Sequence, residues 1–194
     1  MNEDSEELIQ IVSPEENQID ESSLPEQLPL LPIRNTVLFP GVVLPITVWR
    51  SKSIKLVKKA YRGDRIIGVV AQTNNKTEEP TFKDLHRVGT IAKIIKMIVL
   101  PDGNTTIIIQ GQQRFQIEEE IQEDPHHIVT FKTISDEKNI LKKKEEKALV
   151  QSLKDIANKI MTLSPEIPKE AKVAVDNIDS FNFLTHFLSS NINA

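Results

Sequence analysis

The chain has 194 residues, with 28 acidic and 24 basic side chains, a net charge of −4 and no cysteine. That length suits one ordinary domain or two small ones sharing an interface. The lack of cysteine excludes disulfides, thiol nucleophiles and cysteine-based metal sites, and agrees with a reducing compartment.

The N-terminal stretch takes a large share of the acids. Glu3, Asp4, Glu6, Glu7, Glu15, Glu16, Asp20, Glu21 and Glu26 precede residue 28 with no Lys or Arg among them, so the rest of the chain carries about +5. With no aromatics and few apolar residues to bury, residues 1–26 read as an acidic disordered tail. Acids stand where a cleavable signal needs a basic start and an apolar run, so the expected location is cytoplasmic.

"LPLLPIRNTVLFPGVVLPITV" (residues 28–48) is apolar enough to raise the question of a membrane segment. Prolines at 29, 32, 40 and 45 remove that reading, because each deletes a backbone donor and breaks a helix that needs ~20 continuous residues. Pro40-Gly41 suits the centre of a type II turn, and the β-branched flanks read as extended chain on either side. Ile33, Val37, Val43 and Ile46 are the expected core positions. A helix follows, with Ser51 or Ser53 as its cap, Ile54, Val57 and Tyr61 on one face, and Gly63 as a left-handed terminator.

"IIGVVAQ" (66–72) predicts a short central strand, and the polar run after it a loop. "VGTIAKIIKMIVL" and "TTIIIQGQQRFQI" flank "PDGN", a strong hairpin signal, with Ile107, Ile108 and Ile109 suggesting burial on both faces. "HIVTFKTIS" (127–135) supplies one more strand. About six strands with one helix among them predict a closed or nearly closed barrel, which covers its own edges. Beyond Ser135 the pattern turns helical. Leu149, Leu153, Ile156, Ile160 and Leu163 predict an apolar face, and two shorter helices follow, the second capped near Asp179 or Ser180. The last ends in "SSNINA" with no stop signal and reads as an interrupted chain. The fold class is α+β.

No catalytic constellation emerges. The six glycines form neither "GxxxxGK[ST]" nor "GxGxxG", and there is no "GxSxG". His126 and His127 beside Glu123 and Asp124 resemble a ligand set, but neighbours on a strand point to opposite faces, so a solvated strand start is the better reading. His86 offers no pattern, and His186 falls among helix-face apolar residues. Glu118-Glu119-Glu120 reads as a solvated strand end, and the mixed run Lys142–Lys147 as a solvated helix face. Lys52, Lys55, Lys58, Lys59, Arg62 and Arg65 can line one side of the first helix and could meet a phosphate backbone. Tyr61 alone gives that helix no stacking platform. No catalytic, cofactor-binding or metal-binding residue is assigned.

The ordered set "LPLLPIRNTVLFPGVVLPITV", "GVVAQ", "DLHRVGTIAKIIKM", "LPDGNTTIIIQGQQRF" and "LSPEIPKEAKVAVDNI" closely resembles the N-terminal domain of bacterial Lon, the ATP-dependent serine protease, over roughly residues 27–190. The resemblance implies a PUA-like β pseudo-barrel with one inserted helix over 27–136 and an α-helical subdomain over 137–194, cut before an ATPase domain. It also implies a non-catalytic role in selecting damaged, misfolded or regulatory proteins for a homohexamer. The family's ATP and Mg sites, and its Ser-Lys dyad, belong to later domains. Exposed apolar residues at two loop tips would suit substrate selection of this kind. They are Leu38, Phe39 and Pro40 at "LFPG", and Met97 and Leu100 beside "PDGN". The alternatives are a PUA-like nucleic-acid module with weak contacts, or a structural spacer in the hexamer.

Overall fold

The computed structural model describes residues 23–101, 103–135, 143–164, 167 and 169–191. Six strands run β1 (Leu28–Ile33), β2 (Val43–Val48), β3 (Ile66–Ala71), β4 (Val88–Val99), β5 (Thr105–Gln122) and β6 (Ile128–Ile134). Helix α1 (Ser51–Arg62) lies between β2 and β3, and α2 (Lys143–Leu163), α3 (Lys169–Asp176) and α4 (Phe181–Ser190) follow the sheet. The acidic tail, apart from Ser23–Glu26, lies outside the described residues, as do Asp102 and Lys142.

The strand order is β2-β5-β4-β3-β1-β6, and β6 also pairs with β5. That second pairing closes β5, β4, β3, β1 and β6 into a ring with β2 as an outer flap. β1 and β3 are parallel and the other pairings antiparallel. β5 makes the closure possible: its first half pairs with β2, its second half with β6, and β4 runs alongside through two register shifts. Such irregularities bend and twist a strand, as a ring of so few strands requires.

β1 and β3 are buried on both faces. Leu31, Ile33, Ile67 and Val69 join Leu56, Val57 and Ala60 of α1 in one cluster, with Ile94, Ile107 and Ile109. Leu28, Leu30, Ile66 and Val70 face a second cluster around Phe115, Ile91 and Val129. Two-sided burial is why these short strands read as unbroken apolar runs rather than alternating ones. Each fully buried aliphatic or aromatic side chain contributes ~1.5–3 kcal/mol, which makes these two clusters the principal source of stability.

The helical unit has its own core of Ala157, Val175, Ile178, Phe183, Leu184 and Phe187. Lys154, nearly buried, donates from Nζ to the carbonyl of Asp176 at 2.8 Å. The cation therefore sits at the C-terminal end of α3, where carbonyls lack helical partners and the dipole favours positive charge. Ser180 caps α4 by accepting from the Phe183 N–H at 3.3 Å.

Several local expectations change. Val37 is half exposed rather than core, its place taken by Leu38 and Val42. Val43 and Ile46 are half-buried. Neither Ser51 nor Ser53 caps α1, whose N-cap is Arg50 with no side-chain bond. Gly63 has φ −99, and the left-handed residue is Arg65 at φ 65, where the Asp64 side chain accepts from Ile66 N–H. The largest change is in α2. The face marked by Leu149, Ile156, Ile160 and Leu163 points to solvent, and the packed face is Val150, Leu153, Lys154, Ala157 and Met161. Periodicity identified an apolar stripe, and the fold uses the adjacent one.

Phe115→Ala is expected to remove ~3–5 kcal/mol from the urea unfolding free energy. Val37→Ala, at a half-exposed site, is expected to stay within ~0.5 kcal/mol.

Candidate functional site

The "LFPG" turn forms as its residue types dictate. Val42 N–H donates to Phe39 O at 3.2 Å around Pro40 and Gly41, and Gly41 adopts φ 79. The turn does not stand free. Gly41 N–H donates to Gly111 O, and Gly111 N–H to Val42 O, both at 2.9 Å, tying the turn to β5. Gly111 has no Cβ because one would collide with the carbonyl oxygen of Phe39. On the other side, the Phe183 ring of α4 lies so close that a Cβ on Gly41 would meet it at 2.7 Å, and His186 stacks on Phe39 with centroids 5.9 Å apart. Leu38 is only 3% exposed, and its carbonyl accepts from Thr90 Oγ1 at 2.6 Å. Of the three residues expected to be exposed at this tip, Leu38 is therefore in the core, while Phe39 and Pro40 are half covered. The sequence held no sign of the distant helix that covers them.

The hairpin tip is more open. Leu100 N–H donates to Asn104 O at 2.8 Å, and Gly103 N–H to Leu100 O at 3.0 Å. Met97 and Leu100 are half-buried, Met97 against the first core cluster, while Ile95, Ile98 and Val99 are exposed. Phe39 of one tip and Met97 of the other both pack at the margin of the first core cluster.

One concavity is a feature the sequence did not point to. A groove of about 410 Å³ runs between residues 32–36 and β2, lined by Pro32, Ile33, Arg34, Pro45, Ile46 and Trp49 among others. Trp49, the chain's single tryptophan, is 55% exposed. The guanidinium groups of Arg34 and Arg50 each lie 5.6 Å from its ring centroid, within the range of cation–π attraction. Both arginines are held from behind by the buried Gln72, whose Oε1 accepts from Arg50 Nη2 at 2.6 Å and Arg34 Nε at 3.3 Å. Arg34 also donates to Thr77 O at 2.9 Å. Burial, and then the neighbouring Arg34, push the Arg50 guanidinium below its ordinary pKa. The signal missed in the sequence was "VWRS": a lone tryptophan beside an arginine just after a strand.

One wall of this groove is the outer edge of β2, which among the described residues pairs only with β5. The Gly111–Val42 bond sets the alternation, so Leu44, Ile46 and Val48 bond to β5 while Val43, Pro45 and Thr47 turn their backbone outward. Pro45 has no N–H to offer there, which blunts continuous strand addition and leaves side-chain contacts as the main means of holding a guest.

The remaining polar candidates resolve one by one. His126 and His127, expected to be solvated, are each 5% exposed. His127 Nε2 lies 3.0 Å from Pro80 O, and its ring packs edge-on to Phe82. Glu120 pairs with Arg87 at 2.7 Å at an exposed strand end. On α1, Lys52 pairs with Asp124 at 3.2 Å and Arg65 stacks on Tyr61, whereas Lys55, Lys59 and Arg62 are exposed. Among the described residues there is no group of three or more His, Cys, Asp or Glu placed to hold a metal ion. None of their helices is long and apolar enough to cross a membrane.

A closed α+β barrel, a helical unit latched to it, and an open groove that joins apolar walls to fixed arginines define a binding domain. The chain belongs to the family of substrate-binding domains of the ATP-dependent protease La (Lon), whose model matches residues 27–194. Lon protease of Cytophaga hutchinsonii is 59% identical over 188 residues, covering 96% of this chain and 23% of the relative. The Flavobacterium johnsoniae enzyme is 47% identical over the same coverage. The chain thus spans under a quarter of the length of the curated relatives it matches. Its fold is similar to the N-terminal domain of a Mycobacterium avium complex Lon protease, with TM-score 0.67, 17% identity, and coverage of 85% of this chain and 82% of that one. A Lon N-terminal domain protein from Xanthomonas campestris gives TM-score 0.53 at 18% identity, covering 84% and 96%.

Burial, the leading cause, holds the pKa of both His126 and His127 below the ordinary 6.5. The two rings are therefore neutral in the folded chain where an unfolded chain would begin to bind protons. Their stabilising contribution is complete above the unfolded value and is lost as pH falls through the folded one. The urea midpoint is expected to fall between about pH 7.5 and about pH 5.5, and a His126→Gln/His127→Gln variant to flatten that slope.

Proposed function

We propose that this chain is the non-catalytic substrate-recognition part of a longer ATP-dependent Lon-type serine protease that degrades damaged, misfolded and regulatory proteins. The observation that carries the reading is the match to Lon substrate-binding domains over residues 27–194. ATP and Mg belong to the rest of such a protein, and its other partners are the neighbouring subunits of a homohexamer. The absence of cysteine supports a cytoplasmic setting. The barrel is of the PUA-like kind, 27–136 and 137–194 are its two units, and 1–26 is a tail.

The groove beside Trp49, together with Met97 and Leu100 at the hairpin tip, holds apolar segments of unfolded chains. Phe39 and Pro40 contribute from their half-covered edge, and Leu38 supports them from the core. Native proteins hide aliphatic and aromatic side chains, so an apolar groove selects what unfolding has exposed. Arg34 and Arg50 add preference for segments carrying a carboxylate nearby. Contacts must stay weak, since a guest held tightly would resist transfer.

A nucleic-acid reading draws on Lys55, Lys59 and Arg62 standing exposed on α1. It requires affinity that falls steeply with salt.

Because Trp49 is the only tryptophan, its fluorescence reports on the groove directly. Titration with a tryptophan-free, permanently unfolded polypeptide is expected to shift and quench the emission, and Ile46→Ser with Met97→Ser to weaken binding several-fold. No change in fluorescence or in sedimentation at high concentration would overturn the recognition role. Binding that survives both substitutions yet vanishes in moderate salt would transfer the contact to α1.

A further inference from the structure

The start of α1 is a helix N-terminus with nothing acidic on the helix to balance it. Its first turn holds no Asp or Glu, its N-cap Arg50 makes no side-chain cap bond, and Arg50, Lys52 and Lys55 bring positive charge to it. The backbone N–H groups of such a turn lack helical partners and form the positive end of the helix dipole. Beside it lies a small cavity of about 20 Å³, lined by Arg50, Lys52, Ser53, Glu79, His126 and His127 among others. That space is on the scale of one water molecule or one halide ion. His126 and His127 are each only 5% exposed, and the Nδ1 of each is buried without a hydrogen-bond partner, as is Arg50 Nε. Glu79, the one carboxylate among the lining residues, is exposed and forms no ion pair among the described residues, while Asp124 is engaged by Lys52.

We propose that this cavity is a proton-linked site for one compact monovalent anion of chloride size, held by the Nδ1–H groups of His126 and His127, the Nε–H of Arg50 and the N-terminal end of α1. The tautomer of His127 sets the linkage. Its Nε2 lies 3.0 Å from the carbonyl oxygen of Pro80, which only accepts, so the first proton sits on Nε2 and Nδ1 is a bare lone pair. A second proton goes to Nδ1 and turns it from acceptor to donor. The surroundings oppose that step unless an anion comes with it. Burial is the leading obstacle at both rings. At His126, Lys59 and then His127 add to it. At His127 the Pro80 carbonyl, Glu123 and Glu120 work the other way, and Lys52 works with burial. With Arg50 and Lys52 also on the cavity wall, two imidazolium rings there form a self-repelling cluster. One buried anion offsets several of these charges at once, so its affinity rises as pH falls. By reciprocity its binding raises the proton affinity of the rings. Pro32, Arg50 and Ser53 also line the Trp49 groove, so the anion sits behind an arginine that the groove uses. This inference does not rest on the substrate-binding reading, since it concerns the histidine rings and not a guest.

The test follows the four histidine rings of the 194-residue chain by NMR between about pH 8 and about pH 5, in sodium chloride and in sodium gluconate of equal concentration. Gluconate screens charge equally but is too large for the cavity. Chloride is expected to raise the proton affinity of His126 and His127 about threefold over gluconate. His86 and His186, which do not line the cavity, are expected to titrate alike in both salts. In urea, the stabilisation by chloride over gluconate is expected to grow as pH falls, because the ion binds only the folded, protonated chain. Formate, a carboxylate of near-halide size, is expected to act as chloride does. Arg50→Gln removes one donor and is expected to cut the chloride effect several-fold, with circular dichroism checking the fold. Should that variant unfold, His126→Gln read at the His127 ring is expected to show the same loss. Equal proton affinities in the two salts, the same shift at His86 and His186, or a chloride effect untouched by either substitution would each overturn the proposal.

Discussion

The fold depends on β5 reaching two partners at opposite ends of its length. Over 18 residues it pairs first with β2, then with β6, while β4 follows it from Thr105 to Gln116. Without the β5–β6 pairing the sheet would be an open one with β6 at its edge. With it, β1 and β3 lie in a closed wall whose two faces both need apolar cover, and Leu28 to Ile33 and Ile66 to Val70 supply that cover residue by residue. The penalty for closing so small a ring is curvature, absorbed by the register shifts of β4 and β5 and by Gly111, where the "LFPG" backbone must pass in near contact.

That passage also links the two halves of the molecule. The turn that β5 holds from below is covered from above by Phe183 and His186 of α4. The barrel and the helical unit keep separate cores, so this small contact carries much of their mutual orientation. A segment that reads as an exposed apolar tip thus serves as a joint. The accessible apolar surface lies instead along the groove between β1's exit and β2. There the guanidinium groups of Arg34 and Arg50, held from behind by Gln72, each lie 5.6 Å from the centroid of the Trp49 ring. For the proposed recognition role, a rigid polar back to an apolar groove suits low-affinity, broad selection, because a preformed site needs no reorganisation.

The two exposed apolar features differ in setting. The groove is irregular, flanked by charge and blunted at its strand edge by Pro45, so it favours side chains over a regular partner. On α2 the exposed apolar residues Leu149, Ile156, Ile160 and Leu163 lie beside the stripe that meets α3 and α4.

Much of the secondary structure was legible in the residues. Pro40-Gly41 fixed a turn, "PDGN" a hairpin, the glycine-poor apolar runs six strands, and Ser180 a cap, because each rests on interactions within a few positions of the chain. The binding surface was far less legible, since exposure depends on residues distant in sequence. Val37 and Leu38 are equivalent by composition, yet Leu38 is buried and Val37 is not. His126 and His127 read as solvated neighbours, yet both are buried, His127 against Pro80 and Phe82 more than forty positions earlier. In α2 a helical apolar face was plain, but which of two apolar stripes meets α3 and α4 was not. By itself the sequence determined the elements, their turns and the family, because local sterics and an ordered series of motifs carry that information. Only the tertiary structure decided which apolar residues remain in water, because burial is settled by what packs against a side chain and not by the side chain itself.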